Sequence, residues 1–262
     1  MKRTRIRIDP SAYPNALSAL LSDAVIYDSS CSPEAQVIYV ERDTGYYLKT
    51  SVEGTLLREA EMTRYFYQKG LSSEVLYYGT ERGQDYLLTS RVEGEDCCDK
   101  RYLDDPKRLA VFLGERLRVL HETGHEDCPV KDRMKDYLGT VGENYGKGQY
   151  DRSFLSEKLA DFSIDEVYRF VQEHKDAFRS EVLLHGDYCL PNIMLDDWRF
   201  SGFIDLGAGG VGDRHVDLFW GAWTLCFNLK TDIYRERFFD AYGRDLVDRE
   251  RIDLVSACEV FG

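Results

Sequence analysis

The apolar residues of this sequence change their period once, and that change limits the folds open to the chain. Up to Ser90 they fall in short, β-rich runs, and past Arg91-Val92-Glu93-Gly94 they recur mostly at helical spacing. A period of two sends successive side chains to opposite faces of a sheet, while a spacing of three and four lines one face of a helix. The chain therefore reads as two lobes, 1–93 and 94–262, with a hinge at 91–94. Its 262 residues are enough for a sizeable core, in one large domain or in two lobes of about 100 to 150 residues.

Within the first lobe, 36–40 and 46–49 are β-rich and joined by the turn ERDTG, the pattern of a hairpin. The stretch TLLREAEMTRYFYQ predicts a helix over 55–68, closed by Gly70, and short strands follow at 75–78 and 86–90. Beyond the hinge, helices are expected at 109–121 and 164–178, short strands at 182–184 and 203–206, and helix again to the end.

Composition narrows the partners. With 43% hydrophobic and 31% charged residues the chain is an ordinary globular one. Asp and Glu outnumber Lys and Arg by 47 to 34, for a net charge of -13, so nucleic acid and anionic membranes lack their usual electrostatic attraction. A cationic small molecule suits that charge, although acidity also simply keeps a protein in solution. Seven cysteines without CxxC pairs indicate neither a disulfide framework nor a structural zinc site, and the expected compartment is the reducing cytoplasm. Asp9, Pro10 and Pro14 interrupt the segment that a signal peptide needs to be apolar, and no run approaches the roughly 18 apolar residues of a membrane span. No obligate protein partner is evident.

Three formal motifs compete for attention. His121-Glu122-Thr123-Gly124-His125 satisfies H-E-x-x-H, but Gly124 and Pro129 stop the helix that a zinc site of this kind requires, which makes His121 a last-turn residue. Gly207 to Gly212 satisfies G-x-G-x-x-G, yet only 50 residues remain and no second strand ends in an acid, so a loop that lets backbone approach a ligand is the better reading. Gly142 to Lys147 resembles a phosphate-binding loop one residue short, ending in Gly148 where Ser or Thr is needed.

The stretch LLHGDYCLPNIMLDDWRFSGFIDLG, 183–207, is different in kind. It sets Asp187, Asn192 and Asp205 among apolar runs. Phosphoryl transfer needs a carboxylate for the acceptor hydroxyl's proton and oxygen ligands for magnesium on the phosphates. Asp187 reads as the base, Asn192 as an amide ligand, and Asp205, at the end of the following strand, as the principal metal ligand. Singly, each is also a common turn, cap or strand-end residue.

HGDYCLPN followed by FIDLG resembles the aminoglycoside phosphotransferases, relatives of the protein kinases, and is most similar to their 3′-phosphotransferase branch. The resemblance implies an α+β, two-lobed protein-kinase-like fold, with a small β-rich N-lobe carrying one helix and a larger, mainly helical C-lobe. It implies ATP, with GTP as an alternative, and Mg2+ as cofactors, and a cationic small-molecule substrate. Lys49 in YYLKT would anchor the phosphates and Glu59 in LLREAEMTRYF would pair with it; Tyr47, on the face of Lys49, would stack on adenine. Ser32 in DSSCSPEAQVIYV would approach the β-phosphate, the Ser90 carbonyl and Val92 amide would read adenine, and Asp217 would brace the catalytic loop. His185 would be scaffold.

The acceptor side departs from the family. Ala208 stands where close relatives have arginine, WTLCFNLK offers Trp223, Phe227 and Asn228 where an arginine and acids are usual, and of the terminal acids only Glu259 remains, as a substrate-binding group. Transfer to an aminoglycoside is the first expectation. Transfer to another hydroxylated small molecule, or a catalytically weak kinase-like binding protein, are the alternatives.

Overall fold

The computed structural model describes residues 3–31 and 35–262. In chain order it has β1 (Thr4–Ile6), α1 (Asn15–Leu21), β2 (Val25–Asp28), β3 (Gln36–Glu41), β4 (Tyr46–Val52), α2 (Leu57–Gln68), β5 (Val75–Glu81), β6 (Gln84–Ser90) and β7 (Glu95–Asp96). There follow α3 (Lys100–Leu103), α4 (Pro106–His121), α5 (Arg133–Gly146), α6 (Ile164–His174), β8 (Val182–Leu184), β9 (Ile193–Asp196), β10 (Arg199–Phe203), β11 (Gly210–Gly212), α7 (His215–Leu229), α8 (Arg235–Tyr242) and α9 (Arg249–Glu259). The fold is α+β, and its contacts gather into two units: Met1–Cys97 with Pro191–Ala208, and Cys98–Leu190 with Gly209–Gly262.

The first unit is built on an antiparallel sheet of order β1-β2-β3-β4-β6-β5. Strand alternation divides its side chains. Leu48 of β4 joins Ile38, Val40, Tyr86 and Leu88 under Leu17 and Leu21 of α1, whereas Leu87 packs with Leu56 and with Ala60 of α2. Helix α2 has no side-chain cap of its own; the Leu56 N–H donates to buried Asp85 Oδ2 of β6 at 3.0 Å, so the sheet itself fixes where the helix starts. It ends at Gly70, φ +70°, with the Leu71 N–H returning to the Phe66 carbonyl at 2.9 Å.

β1, α1, β2 and β7 of this unit go beyond the sequence reading. Prolines that break an apolar segment here open helical turns, since Asp9 caps the 3₁₀ turn Pro10–Ala12 and Pro14 precedes α1. A second sheet, β10-β9-β7, completes the unit. Its hairpin turns at Asp197 and Trp198, both with positive φ, the geometry that matches strand twist. The strand expected at 203–206 lies earlier. A register shift between Phe200 and Gly202 and a left-handed Asp205, φ +59°, end the ladder at Phe203, and Leu206–Ala208 is a 3₁₀ turn.

The second unit is mainly helical. α4 begins at Pro106 under an Asp105 cap, and it packs on α8 so closely that a Cβ on Gly114 would stand 2.4 Å from the Phe238 carbonyl oxygen. Val141 of α5, Val167 and Val171 of α6, Leu184 of β8 and Val255 of α9 share one core. The helix expected at 164–178 is α6 under a Ser163–Glu166 capping box, followed by a separate 3₁₀ turn, Lys175–Ala177. The phosphate-loop-like Gly142 to Lys147 lies in the last turn of α5, and Gly210–Gly212 pairs with β8. Among the described residues no helix is long and apolar enough to cross a membrane.

Candidate active site

Alternation along β4 sends Tyr47 and Lys49 away from the Leu48 core. Lys49 Nζ donates to Glu59 Oε2 of α2 at 2.7 Å and to Asp205 Oδ1 at 2.9 Å. Burial works against the Lys49 ammonium, but the two carboxylates outweigh it and raise its pKa above the ordinary value. The cation is thus held on a carboxylate from the adjoining helix and on one from the turn after β10. The left-handed backbone of Asp205 turns its side chain outward, half exposed.

These groups line a cavity of about 240 Å³ in the first unit. Val37, Leu87, Met194 and Ile204 supply apolar wall, and Lys49, Asn192 and Asp205 supply polar wall. Tyr47, Ser90 and Val92 also line it. Tyr47 has a second neighbourhood: its hydroxyl accepts from Arg3 at 2.6 Å, and its ring lies 5.2 Å from that of Tyr39. The loop after β2 is shaped by its own side chains, with the Ser30 N–H on Asp28 and the Ser29 N–H on the Val37 carbonyl. Ser32 lies outside the described residues. Asn192 is buried, and its carbonyl oxygen accepts from the Ile204 N–H at 3.0 Å, which ties the start of β9 to the end of β10.

In the second unit, the loop after β8 carries Asp187. Its frame is Asp217 of α7, whose Oδ2 and Oδ1 accept the His185 and Gly186 N–H groups at 2.8 Å each. Two backbone amides on one carboxylate leave the loop little freedom. His121 Nε2 adds a contact to Asp217 at 3.2 Å, and its Nδ1 faces the Tyr242 hydroxyl at 2.8 Å, so both ring nitrogens are engaged inside the protein. His185 is fully buried and its Nδ1 accepts the Asp187 N–H at 3.3 Å, while the Asp187 side chain is partly exposed. Among the described residues no group of three or more His, Cys, Asp or Glu could hold a metal on its own.

Glu259 is buried near the end of α9, its Oε1 accepting from the Tyr137 hydroxyl at 2.7 Å and from Trp220 Nε1 at 3.1 Å. Tyr137 and Trp220 belong to no local motif; only folding reveals their place beside this acid. The Glu259 carboxyl is raised from 4.5 to about 7, with burial the largest cause and the Asp187 charge adding to it against the lowering effect of the two hydrogen bonds. Between those values the folded protein keeps a proton that the unfolded chain has lost, so stability should fall as pH rises through the window and level off above it. At about 1.4 kcal/mol per unit the whole effect is about 3 kcal/mol. Glu259→Gln keeps an acceptor oxygen and is expected to flatten the pH dependence of Tm between about pH 5 and 7.5; an unchanged slope would assign that titration to other groups.

Comparison with known proteins adds an independent line. Residues 34–255 match the APH family, described as the phosphotransferase enzyme family. The chain is 51% identical over 257 residues to a probable aminoglycoside 3′-phosphotransferase of Lactococcus lactis, covering 98% of each chain. Its backbone is similar to a crystal structure of an aminoglycoside-3′-phosphotransferase of type VIII, with a TM-score of 0.78, 23% identity and 96% of each chain covered. It is also similar to the Streptomyces rimosus aminoglycoside phosphotransferase APH(3″)-Id in complex with ADP and streptomycin, with a TM-score of 0.71 and 23% identity, over 86% of this chain and 90% of that one.

Proposed function

The chain belongs to the aminoglycoside phosphotransferase family, and from that premise we propose that this enzyme transfers the γ-phosphate of ATP to a hydroxyl of an aminoglycoside, the 3′-hydroxyl first. The observation that carries the reading is the Lys49 ammonium held between Glu59 and Asp205 at the wall of a cavity that Asn192 also lines. Residues 1–93 serve the nucleotide and 94–262 the chemistry and the acceptor.

Lys49, fixed by Glu59, orients the phosphates, and Ser32 with its neighbouring backbone N–H groups approaches the β-phosphate. Adenine stacks on Tyr47 and is read by the Ser90 carbonyl and the Val92 amide. Asn192 and Asp205 offer the amide and carboxylate oxygens that suit a hard cation when phosphates complete its shell, so these two residues would hold Mg2+. When bound, the ion supplies charge neutralisation on the phosphates. Asp187 accepts the acceptor hydroxyl's proton and aims its oxygen, and rate comes from positioning and electrostatics without a covalent phosphoenzyme. Glu259 takes a substrate amine, and the protein works in the cytoplasm on a cationic small molecule.

The test is ATP consumption against a panel of aminoglycosides, macrolides, peptide antibiotics and amino alcohols. Aminoglycosides with a free 3′-hydroxyl are expected to turn over and their 3′-deoxy analogues to remain unmodified. Turnover of only a non-aminoglycoside class would replace the acceptor while keeping the kinase, and bound ATP left unconsumed with every compound would make the chain a kinase-like binding protein.

A further inference from the structure

A row of tyrosines crosses the first sheet. Register pairs Tyr27 of β2 with Tyr39 of β3, Tyr39 with Tyr47 of β4, and Tyr47 with Thr89 of β6. The ring centroids are 6.2 and 5.2 Å apart along the row, and the planes of Tyr39 and Tyr47 are tilted by 50°. The row begins at Tyr27, which pairs with the edge strand β1, and ends at Tyr47 on the cavity that Lys49 and Asn192 also line.

Its members are not held alike. Tyr39 is buried, and the backbone of Gly45, φ +90°, approaches so closely that a Cβ there would stand 2.5 Å from the Tyr39 hydroxyl. Tyr47 instead borders two hollows: the cavity above, and a second of about 240 Å³ that Arg3, Arg91 and Asp96 also line. A side chain that borders two hollows lacks part of the close packing that fixes a core ring.

Arg3, immediately before β1, supplies a restraint in its place. Its Cζ lies 3.6 Å from the centroid of the Tyr39 ring, and its Nη2 donates to the Tyr47 hydroxyl at 2.6 Å. The guanidinium thus stands on the locked ring and ties down the looser one. We infer that Arg3 is a positioning residue for the nucleotide, holding Tyr47 in place from the sheet edge before the base arrives. Binding then need not order that side chain, a cost that otherwise weakens affinity about two- to tenfold. The inference rests on adenine stacking on Tyr47, as proposed above.

The test is a titration of the purified protein and its variants with magnesium and ADP. Arg3 is exposed, so its replacement leaves the core untouched. Arg3→Met and Tyr47→Phe cut one hydrogen bond from opposite ends. Each is expected to raise the ADP dissociation constant about fourfold, and the double variant by no more than about fivefold, because a single restraint is lost only once. Arg3→Lys keeps a donor for the hydroxyl and is expected to stay within about twofold of the parent. Tyr47→Ala removes the ring and is expected to weaken ADP about tenfold or more. A rise below about twofold in Arg3→Met, an Arg3→Lys variant as weak as Arg3→Met, or single losses that multiply in the double variant would each overturn the inference, the last by placing Arg3 on the nucleotide directly. A Tyr47→Ala variant that binds ADP as the parent does would overturn the stacking reading first, and the inference with it.

Discussion

Asp187→Asn is expected to lower kcat for transfer by about 10²- to 10⁴-fold, the range a positioned general base contributes. Asparagine keeps the side-chain shape and the backbone N–H that His185 accepts, so the loop braced by Asp217 should hold its form while losing charge and basicity. His185 offers no substitute, because it is fully buried and its Nδ1 is occupied by the Asp187 amide. The residues proposed for the nucleotide all belong to the other unit, so nucleotide affinity should survive. Single-turnover formation of phosphorylated acceptor and a separate nucleotide titration read the two halves apart. Near-parent turnover in the variant would locate the base elsewhere.

Much of this site was legible because its chemistry is written in short spans. HGDYCLPN and FIDLG place the proposed base and the proposed metal ligands within a single stretch, and β4 declares the shared face of Tyr47 and Lys49 by alternation alone. The pairing of Lys49 with Glu59 depends on one strand and the next helix, short-range enough to be read through a family likeness. What escaped the sequence has long-range causes. The start of α2 depends on Asp85, 29 residues away from Leu56, and the surroundings of Glu259 depend on Tyr137, 122 residues away. The strand before Asp205 was displaced because neither a register shift nor a left-handed residue leaves a mark in hydropathy. Residues 191–208 pack with the first unit although they follow more than ninety residues of the second, and a division drawn from local period is blind to such a return.

Asp205→Asn should separate catalysis from stability. The wild-type carboxylate is half exposed and its contact with Lys49 is one of two that the ammonium makes, so loss of that ion pair should cost no more than about 1 kcal/mol. Asparagine also tolerates the left-handed backbone at φ +59°, where alanine would add strain of about 1–2 kcal/mol and confuse the result. Glu59 continues to hold Lys49, so the proposed phosphate anchor keeps an ion-pair partner. The loss therefore falls on the proposed metal ligand. Magnesium-dependent transfer is expected to drop by about 10²- to 10³-fold, the scale set by removing one electrostatic stabiliser of a transition state. The magnesium concentration for half-maximal activity should rise together with the dissociation constant of the magnesium–nucleotide pair. A variant that binds that pair as tightly as the parent would remove Asp205 from the metal shell and leave it only the placement of Lys49.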